Sequence, residues 1–470
     1  MRTNLLVFAF TLLVTAVYGQ HMMGFNSSNY AGLSGMATNP ACIVDSRYRL
    51  EVNVLSTDFN LQNSFLGLEQ NLFSLGDANP LNQSQYTNNF QMLRRDYFKE
   101  EDVKTFNTFI NSRTMGPSAM FQIGKNAFSF TTEVRGLMNI DNVDTLFGKF
   151  LLDEANNRNY YNRVQFDNRN LTVQAATWSE IGLGYGREIF SKGAHHVAGA
   201  VRAKILIPFN SFHFYADQLK LNFDSKDTVD VLLSDVRFGY SDNLEGRKFK
   251  DFTNLQGDVF KNIGVGLDIG FVYEWRPKIA DLINLRFKNK YLIKVGAAIN
   301  DIGSINFNRG SRGGNFTGGY QNYNLDSLQT DSPEAFGRSI SSILNMPTNQ
   351  NPYSMRLPTN FTFSVDVNVF KWFYVNFTTV QPFDRNIAPQ MLHGISYYTL
   401  TPRFESTWFD VLLPITLDQY NHFKAGFAFR AGPVSFGSDD LLNIIAQRYR
   451  YGSNFYMGLK VPIPFVAAKG

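Results

Sequence analysis

Residues 360–380 read Asn-Phe-Thr-Phe-Ser-Val-Asp-Val-Asn-Val-Phe-Lys-Trp-Phe-Tyr-Val-Asn-Phe-Thr-Thr-Val, and this stretch constrains the fold more than any other. Phe361, Phe363, Val365, Val367 and Val369 share one face of an extended chain, while Asn360, Thr362, Ser364, Asp366 and Asn368 share the other. An unbroken period of two over a run of this length makes a β-strand and excludes an amphipathic helix. Phe373, Val375 and Phe377 then alternate with Asn376 and Thr378, so a second strand follows and the pair forms a hairpin turning near Phe370-Lys371. About ten alternating residues also suffice for a tilted strand to cross an outer membrane, with lipid on one face and a lumen on the other.

The pattern recurs along the chain. Tyr48, Leu50, Val52 and Val54 alternate with Arg49, Glu51 and Asn53; Val201, Ala203, Ile205 and Ile207 alternate with Arg202 and Lys204. Leu219 to Phe223 alternate with Lys220, Val265 to Tyr273 with Asp268, and Tyr291 to Ile299 with Lys294. Phe423 to Phe429 alternate with Lys424 and Arg430, and Phe455 to Val461 with Lys460. The expected fold class is all-β: a transmembrane antiparallel β-barrel of about 14, up to about 16, strands. Few segments look helical; the clearest are near 100–111, 143–155 and 335–344, all between strands.

The connections sort into two kinds. Gly124-Lys125-Asn126, Asp224–Asp227, Phe370-Lys371 and Ala431-Gly432-Pro433 are short; 62–116, 139–170, 241–262 and 302–357 are long and polar. Short periplasmic turns and long outer loops are the asymmetry of an outer-membrane barrel. The segment 276–289 departs from it as a long connection on the short side. No repeat of propeller length is present.

The start of the chain reads as a secretory signal over 1–19: Arg2, an apolar run from Leu5 to Val14, and Val17-Tyr18-Gly19 before Gln20. No later run is long and apolar enough for a transmembrane helix. Cys42 is the only cysteine, so no internal disulfide framework exists, and it lies too far from the signal to be a lipoprotein cysteine. With 44 Phe and 22 Tyr the chain suits aromatic girdles at two interfaces, and a net charge of +4 without basic blocks argues against nucleic acid. Together these favour a bacterial envelope, with the barrel at 48–470 in the cell outer membrane and outer-membrane lipid as its surroundings.

Residues 20–47 precede the first strand and are rich in Gly, Ser, Asn and Met. They are either a plug inside the lumen or a periplasmic tail. The run Tyr30-Ala31-Gly32-Leu33-Ser34-Gly35-Met36-Ala37-Thr38-Asn39-Pro40-Ala41, leading into a strand, resembles the N-terminus of FadL-type outer-membrane transporters, where a glycine- and alanine-rich hatch ends in Asn-Pro-Ala. Asp301-Ile302-Gly303-Ser304-Ile305, Pro402-Arg403-Phe404 and Arg430 to Asp439 are similar to a group of Bacteroidota barrels related to FadL and to the PorV subunit of type IX secretion. The resemblance implies a barrel with an N-terminal plug or gate, carried by Gly32, Gly35, Asn39 and Pro40. It does not carry over a fatty-acid pocket, because no ligand-contacting positions match.

Catalytic patterns are lacking. Gly32-Leu33-Ser34-Gly35 misses the nucleophile-elbow spacing. His195-His196 point to opposite faces of a strand and lack zinc spacing. Asp224, Asp227 and Asp230 lack the glycine and glutamate of a calcium loop. Arg309 to Gly314 resembles an RGG tract, which in an exported chain is a loop, and Gly264, Gly266 and Gly270 lie in a strand with no helix after them. No enzyme, cofactor or metal site is expected. The informative chemistry is the inward face: Arg49, Glu51, Arg202, Lys204, Lys220, Asp268, Lys294, Asp366, Lys424 and Arg430. A dry lumen could not hold these unpaired, so it is either wet or filled by a polar plug. Two functions remain: a channel for hydrophobic or amphipathic small molecules, or a scaffold or accessory subunit of an envelope complex. Under this orientation Phe363→Arg is costly and Thr362→Arg mild.

Overall fold

The computed structural model describes residues 22–44, 46–69, 98–100, 104–148, 165–223, 228–249, 252, 262–277, 290–307, 312–324, 327, 329, 331–344, 352–383, 389–441 and 449–464. The expected signal at 1–19, the turn at 224–227, most of 276–289 and parts of each expected long loop lie outside them.

One antiparallel sheet dominates. Its strands are β1 (Tyr48–Asn63), β2 (Thr105–Met115 and Ser118–Ile123), β3 (Asn126–Asp144), β4 (Gln165–Lys192), β5 (His195–Phe223), β6 (Thr228–Tyr240), β7 (Gly264–Trp275) and β8 (Ile293–Phe307). They continue as β9 (Arg312–Asn324), β10 (Tyr353–Arg356 and Asn360–Phe370), β11 (Phe373–Pro382) and β12 (Tyr397–Glu405). The last are β13 (Phe409–Leu412 and Ile415–Asp418), β14 (Phe423–Ala425 and Phe427–Ala431), β15 (Val434–Ser438) and β16 (Gly452–Pro464). Four of the twenty sheet segments are second halves of broken strands and two strands leave the wall, so the ring has fourteen members. It closes where β1 pairs with β16, from Tyr48 opposite Pro464 to Gln62 opposite Gly452. Each break has a local cause. Gly116-Pro117, Pro358, Pro414 and Gly426 sit at the four interruptions, where a missing donor or a missing side chain weakens a ladder.

The faces are inverted relative to a water-soluble protein. Val265 and Phe271 on β7 are 70% and 53% exposed, while Asp268 between them is fully buried. Leu183, Val201, Ile205 and Met457 are exposed; Arg202, Lys204, Asn53 and Lys460 are buried. On β10 Phe361 is exposed and Thr362, Asp366 and Asn360 are buried, as the alternation requires. An apolar outer belt around a polar interior suits a lipid environment.

Bulges revise two inward assignments. The register slips between Tyr48 and Leu50, so Tyr48 takes the inward place and Arg49 is exposed. Lys220 lies far along β5, where it pairs with Asp167 on the surface at 3.8 Å. Thr362 does face the lumen, but its hydroxyl accepts from Asn300 Nδ2 at 3.3 Å in packed surroundings. An arginine there meets a filled interior, so Thr362→Arg is not mild.

Much of the expected loop structure is sheet. Strand β5 pairs with β7 only up to Leu206 opposite Gly264, and from Phe212 to Phe223 its neighbour is β6 instead. Strand β9 adds to β6, so the expected loop 302–357 contains a strand as well as the expected helix, observed as Pro333–Leu344. The bulge at Phe209 exchanges the faces of β5. Beyond it Ser211 and His213 meet Tyr353, while Phe212 and Phe214 turn to Phe336 of that helix, and Phe212 also meets Phe249. This off-ring sheet is packed as in a soluble domain, apolar side inward. The helix expected at 100–111 is strand from Thr105, because Phe109 and Ile110 are buried between paired neighbours β1 and β3. Of the helix expected at 143–155, residues 145–148 are helical and 149–155 lie outside the described residues.

If the exposed belt faces lipid, Phe271→Arg near mid-height of β7 should lower barrel stability by about 2–4 kcal/mol. Denaturant unfolding in lipid vesicles, followed by the heat-dependent gel shift, measures it; a change below about 0.5 kcal/mol would contradict the orientation.

Candidate functional site

The lumen is filled by three layers that differ in chemistry. The first is the segment 22–47. It forms three short helical turns, Met23–Asn26, Gly32–Ala37 and Pro40–Ile43. Residues 22–44 carry no charged side chain. The wall supplies the charge and the segment supplies backbone groups. Glu51 Oε1 accepts from the Leu33 amide at 2.9 Å. Lys460 Nζ donates to the carbonyls of Tyr30 and Ala31 at 2.6 and 3.1 Å. Glu405 accepts from the Asn29 amide and side chain at 2.9 and 2.8 Å. Asp439 accepts from the Gly24 amide at 3.1 Å, and Asp410 from the Ser28 hydroxyl at 2.9 Å.

Each of the four residues singled out here has a physical role. Gly32 adopts φ +61°, and a Cβ on it would stand 1.9 Å from Glu51 Oε2. Gly35 packs against Cys42. The Asn39 side chain accepts from the Ala41 amide at 2.9 Å, capping the turn that Pro40 begins, and donates to the Phe271 carbonyl at 3.0 Å. Pro40 lies against Gly270 of the wall, where a Cβ would meet Asn39 at 2.1 Å. A strand glycine therefore marks the close approach of another backbone. Burial pushes the Cys42 thiol up to about 12.

The second layer is a lattice of buried charges on neighbouring strands. Arg202 pairs with Asp268 at 2.6 Å and with Glu133 at 3.0 Å. Lys204 pairs with Asp268 at 2.8 Å and Asp301 at 2.5 Å. Arg135 binds both oxygens of Asp301, at 2.7 and 3.0 Å, and Glu180 at 2.9 Å. Arg113 binds Glu133 at 2.7 Å. Arg113, Arg135, Arg202 and Lys204 thus balance Glu133, Glu180, Asp268 and Asp301. Asp301 reaches inward through a bulge with φ 58°. Elsewhere on the wall Asp366 pairs with Arg403 at 2.6 Å, Arg430 with Asp410 at 2.7 Å, Glu51 with Lys460 at 3.1 Å and Lys424 with Asp418 at 2.7 Å. Lys294, half-buried, donates to Asn29 at 3.4 Å. The residues read from sequence as inward are joined by Arg113, Glu133, Arg135, Glu180 and Asp301, which that reading missed. Glu133 and Arg135 share a face within the alternating run Thr131–Arg135, and that spacing was the available signal.

The third layer is apolar: Phe109, Leu137, Trp178, Leu206, Ile305, Met355, Val380, Leu392 and Ile395, among others, form one buried cluster. Leu392 and Ile395 come from the connection between β11 and β12, which folds into the lumen. Gln174 and Met391 exchange two hydrogen bonds of 2.6 and 3.1 Å, as do Asn139 and His393 at 3.0 and 3.2 Å. His393 Nε2 lies 2.9 Å from Asp141 Oδ2. Two internal cavities hold only about 10 and about 20 Å³, room for a water molecule each.

His195 is exposed beside Tyr273 and His196 is buried, so the two imidazoles do part. Among the described residues no three His, Cys, Asp or Glu side chains are grouped to hold a metal ion, and no helix is long and apolar enough to cross a membrane.

Wall, belt and filled lumen define a closed fourteen-stranded β-barrel. The chain belongs to the family of unknown function DUF5723, matched over residues 40–439. Among solved structures it is similar to a TodX deltaS2S3 mutant monoaromatic hydrocarbon channel, with TM-score 0.43 and 8% identity over 92% of this chain and 94% of that one. It is also similar to the Pseudomonas putida toluene transporter TodX, with TM-score 0.39 and 9% identity over 95% and 94% of the two chains. A Pseudomonas aeruginosa FadL homologue follows at TM-score 0.24 and 8% identity, covering 95% and 98%. No curated protein matches the sequence.

Two predictions concern the two ends of the filling. Gly32→Ala should cost about 1–3 kcal/mol by forcing a left-handed alanine onto Glu51. It should also speed maleimide labelling of Cys42, the only thiol; unchanged stability and labelling would show that the contact with Glu51 is not constraining. At the other end, burial alone would lower the His393 pKa, but its hydrogen bond and charge interaction with Asp141 outweigh this and raise it. A raised folded-state pKa stabilises the protonated form. The contribution is complete below the ordinary histidine value of about 6.5 and is lost as pH rises through the folded value. Hydrogen exchange over 391–395 should therefore be slowest near about pH 6 and quicken above it, after correction for intrinsic rates, and Asp141→Asn should remove that dependence.

Proposed function

We propose that this protein lies in the bacterial outer membrane and passes hydrophobic or amphipathic small molecules through its barrel, with residues 20–47 as the plug and Gly32, Gly35, Asn39 and Pro40 shaping it. The single observation that carries this reading is the division of charge between plug and wall. The segment 22–44 is uncharged, and most of the charged wall groups that hold it are already paired with another wall charge: Glu51 with Lys460, Asp410 with Arg430, Glu405 with Arg403; Asp439 instead accepts from the Gly24 amide and the Tyr456 hydroxyl. Removing or shifting the segment strands no ion of these pairs in a dry interior. A buried pair that loses one partner is strongly destabilised, so this arrangement keeps the barrel intact while its filling moves. The apolar cluster, which Met23 of the segment also joins, supplies a surface for an apolar solute.

A second reading, an accessory subunit of an envelope complex, draws on the off-ring sheet of β4, β5, β6 and β9 with its packed helix, which the barrel wall does not need for closure. One experiment separates the two. Deleting residues 22–38, with the signal and its cleavage site kept, should leave a barrel that still shows the heat-dependent gel shift and conducts more in planar bilayers. A folded deletion barrel with unchanged conductance would sink the channel reading; a partner protein retained in mild detergent would favour the second.

A further inference from the structure

Between the charge lattice and the inward-folded connection lies the cavity of about 10 Å³, lined by Phe109, Asn111, Arg135, Leu137, Val380 and Ile395 among others. Two buried polar atoms of its lining lack a protein partner: Arg135 Nε and Asn111 Oδ1. Their residues are only 3% and 5% exposed. Asn111 stands opposite Leu137, and Arg113 opposite Arg135, so Asn111 and Arg135 are diagonal neighbours on one face of paired strands. A buried donor beside a buried acceptor, both left over, calls for a group that can accept from one and donate to the other.

The charge of that group follows from the lattice. Both terminal nitrogens of Arg135 are occupied, by Asp301 at 2.7 and 3.0 Å and by Glu180 at 2.9 Å. The guanidinium is already neutralised, so an incoming carboxylate would sit against Asp301 and Glu180 without a free cation to offset them. An ammonium would face the guanidinium itself. A hydroxyl or primary amide meets neither penalty and satisfies both orphan atoms. Above the polar pair, Phe109, Leu137, Val380 and Ile395 offer apolar walls continuous with the larger cluster. The roof, Gly394 and Ile395, belongs to the connection held mainly by its hydrogen bonds to β3 and β4.

We propose that this cavity is the contracted head-group subsite for an uncharged amphipath bearing a hydroxyl or a primary amide, with residues 389–396 as a roof that lifts when the ligand enters. The proposal rests on the channel reading above and narrows it to a substrate class. Trp178 provides the reporter: its indole donates to Glu180 at 2.8 Å, and the Arg135 guanidinium lies 5.0 Å from its ring centre.

The test uses the full-length protein in detergent with Trp275, Trp372 and Trp408 changed to Phe, so that Trp178 alone fluoresces. It is titrated with 2-bromooctan-1-ol and with 2-bromooctanoate, whose bromine lies beside the head group and quenches on contact. The alcohol should quench at a roughly tenfold lower concentration than the carboxylate. Asn111→Leu, which adds no charge and removes one orphan atom, should abolish that preference while retaining the heat-dependent gel shift. Leu137→Phe, which adds bulk without a second indole and is read by the alcohol titration in the same way, should block the site from its apolar side. Quenching by the carboxylate at equal or lower concentration, no quenching by either, or a preference that survives in Asn111→Leu would each overturn the proposal. Conductance of the barrel lacking residues 22–38 decides the channel reading separately, so the two can fail independently.

Discussion

The whole interior depends on keeping charge inside a barrel whose outside is apolar. Four cations and four anions converge on one level of the lumen, and each is nearly or fully buried. A single one of them unpaired would destabilise the wall by several kcal/mol. The lattice avoids this by spreading partners over successive strands: Arg113 on β2, Glu133 and Arg135 on β3, Glu180 on β4, Arg202 and Lys204 on β5, Asp268 on β7, Asp301 on β8. Because bidentate arginine contacts tolerate little change in direction, they also hold the register of these strands. The bulge that presents Asp301 belongs to the same device, since Asp268 accepts from the Asp301 amide at 2.7 Å.

With the lattice balanced within itself, the material inside the wall is free to be something other than ionic. The N-terminal segment is held by backbone groups aimed at spare lone pairs and protons of wall side chains, most of which are already paired. The connection at 389–396 is held from the opposite side by amide pairs and one histidine–aspartate contact. Both fillings are close-packed, and among the described residues the connection touches the ladders of the barrel only through one bridge, between Met391 and Arg356 at the end of a β10 segment. Opening the N-terminal end therefore exchanges hydrogen bonds with water, at roughly 1 kcal/mol net for each; lifting 389–396 also parts His393 from Asp141, and opening the wall would separate the lattice of buried ions.

The strands that leave the ring follow different physics. Below Leu206 strand β5 turns its charges inward and its apolar residues outward; beyond the bulge at Phe209 its phenylalanines pack on a helix and on Phe249. A single inserted residue suffices for the exchange, because the side-chain period of a strand is two. One strand thus turns its apolar residues outward along the barrel and packs them under a helix beyond it.

Local alternation determined most of this architecture. The run from Asn360 to Val369 dictates a strand with one apolar and one polar face, and its repetition dictates a barrel whose charges point in. Asn39-Pro40, with Gly32 and Gly35 before it, dictates a turn-rich segment ahead of the first strand, since these residues favour caps, left-handed backbone and close approach. Tertiary structure decided what local pattern has no term for. Arg49 turns outward through a bulge, and Lys220 lies beyond another. Thr105–Met115 is a strand because its neighbours on both sides are strands. Residues 312–324 pair with β6 across a large sequence separation. The partners of the inward charges, and the folding of His393 onto Asp141, depend on which strands become adjacent when the ring closes. Periodicity reports the face a side chain occupies; only the closed ring sets which faces meet.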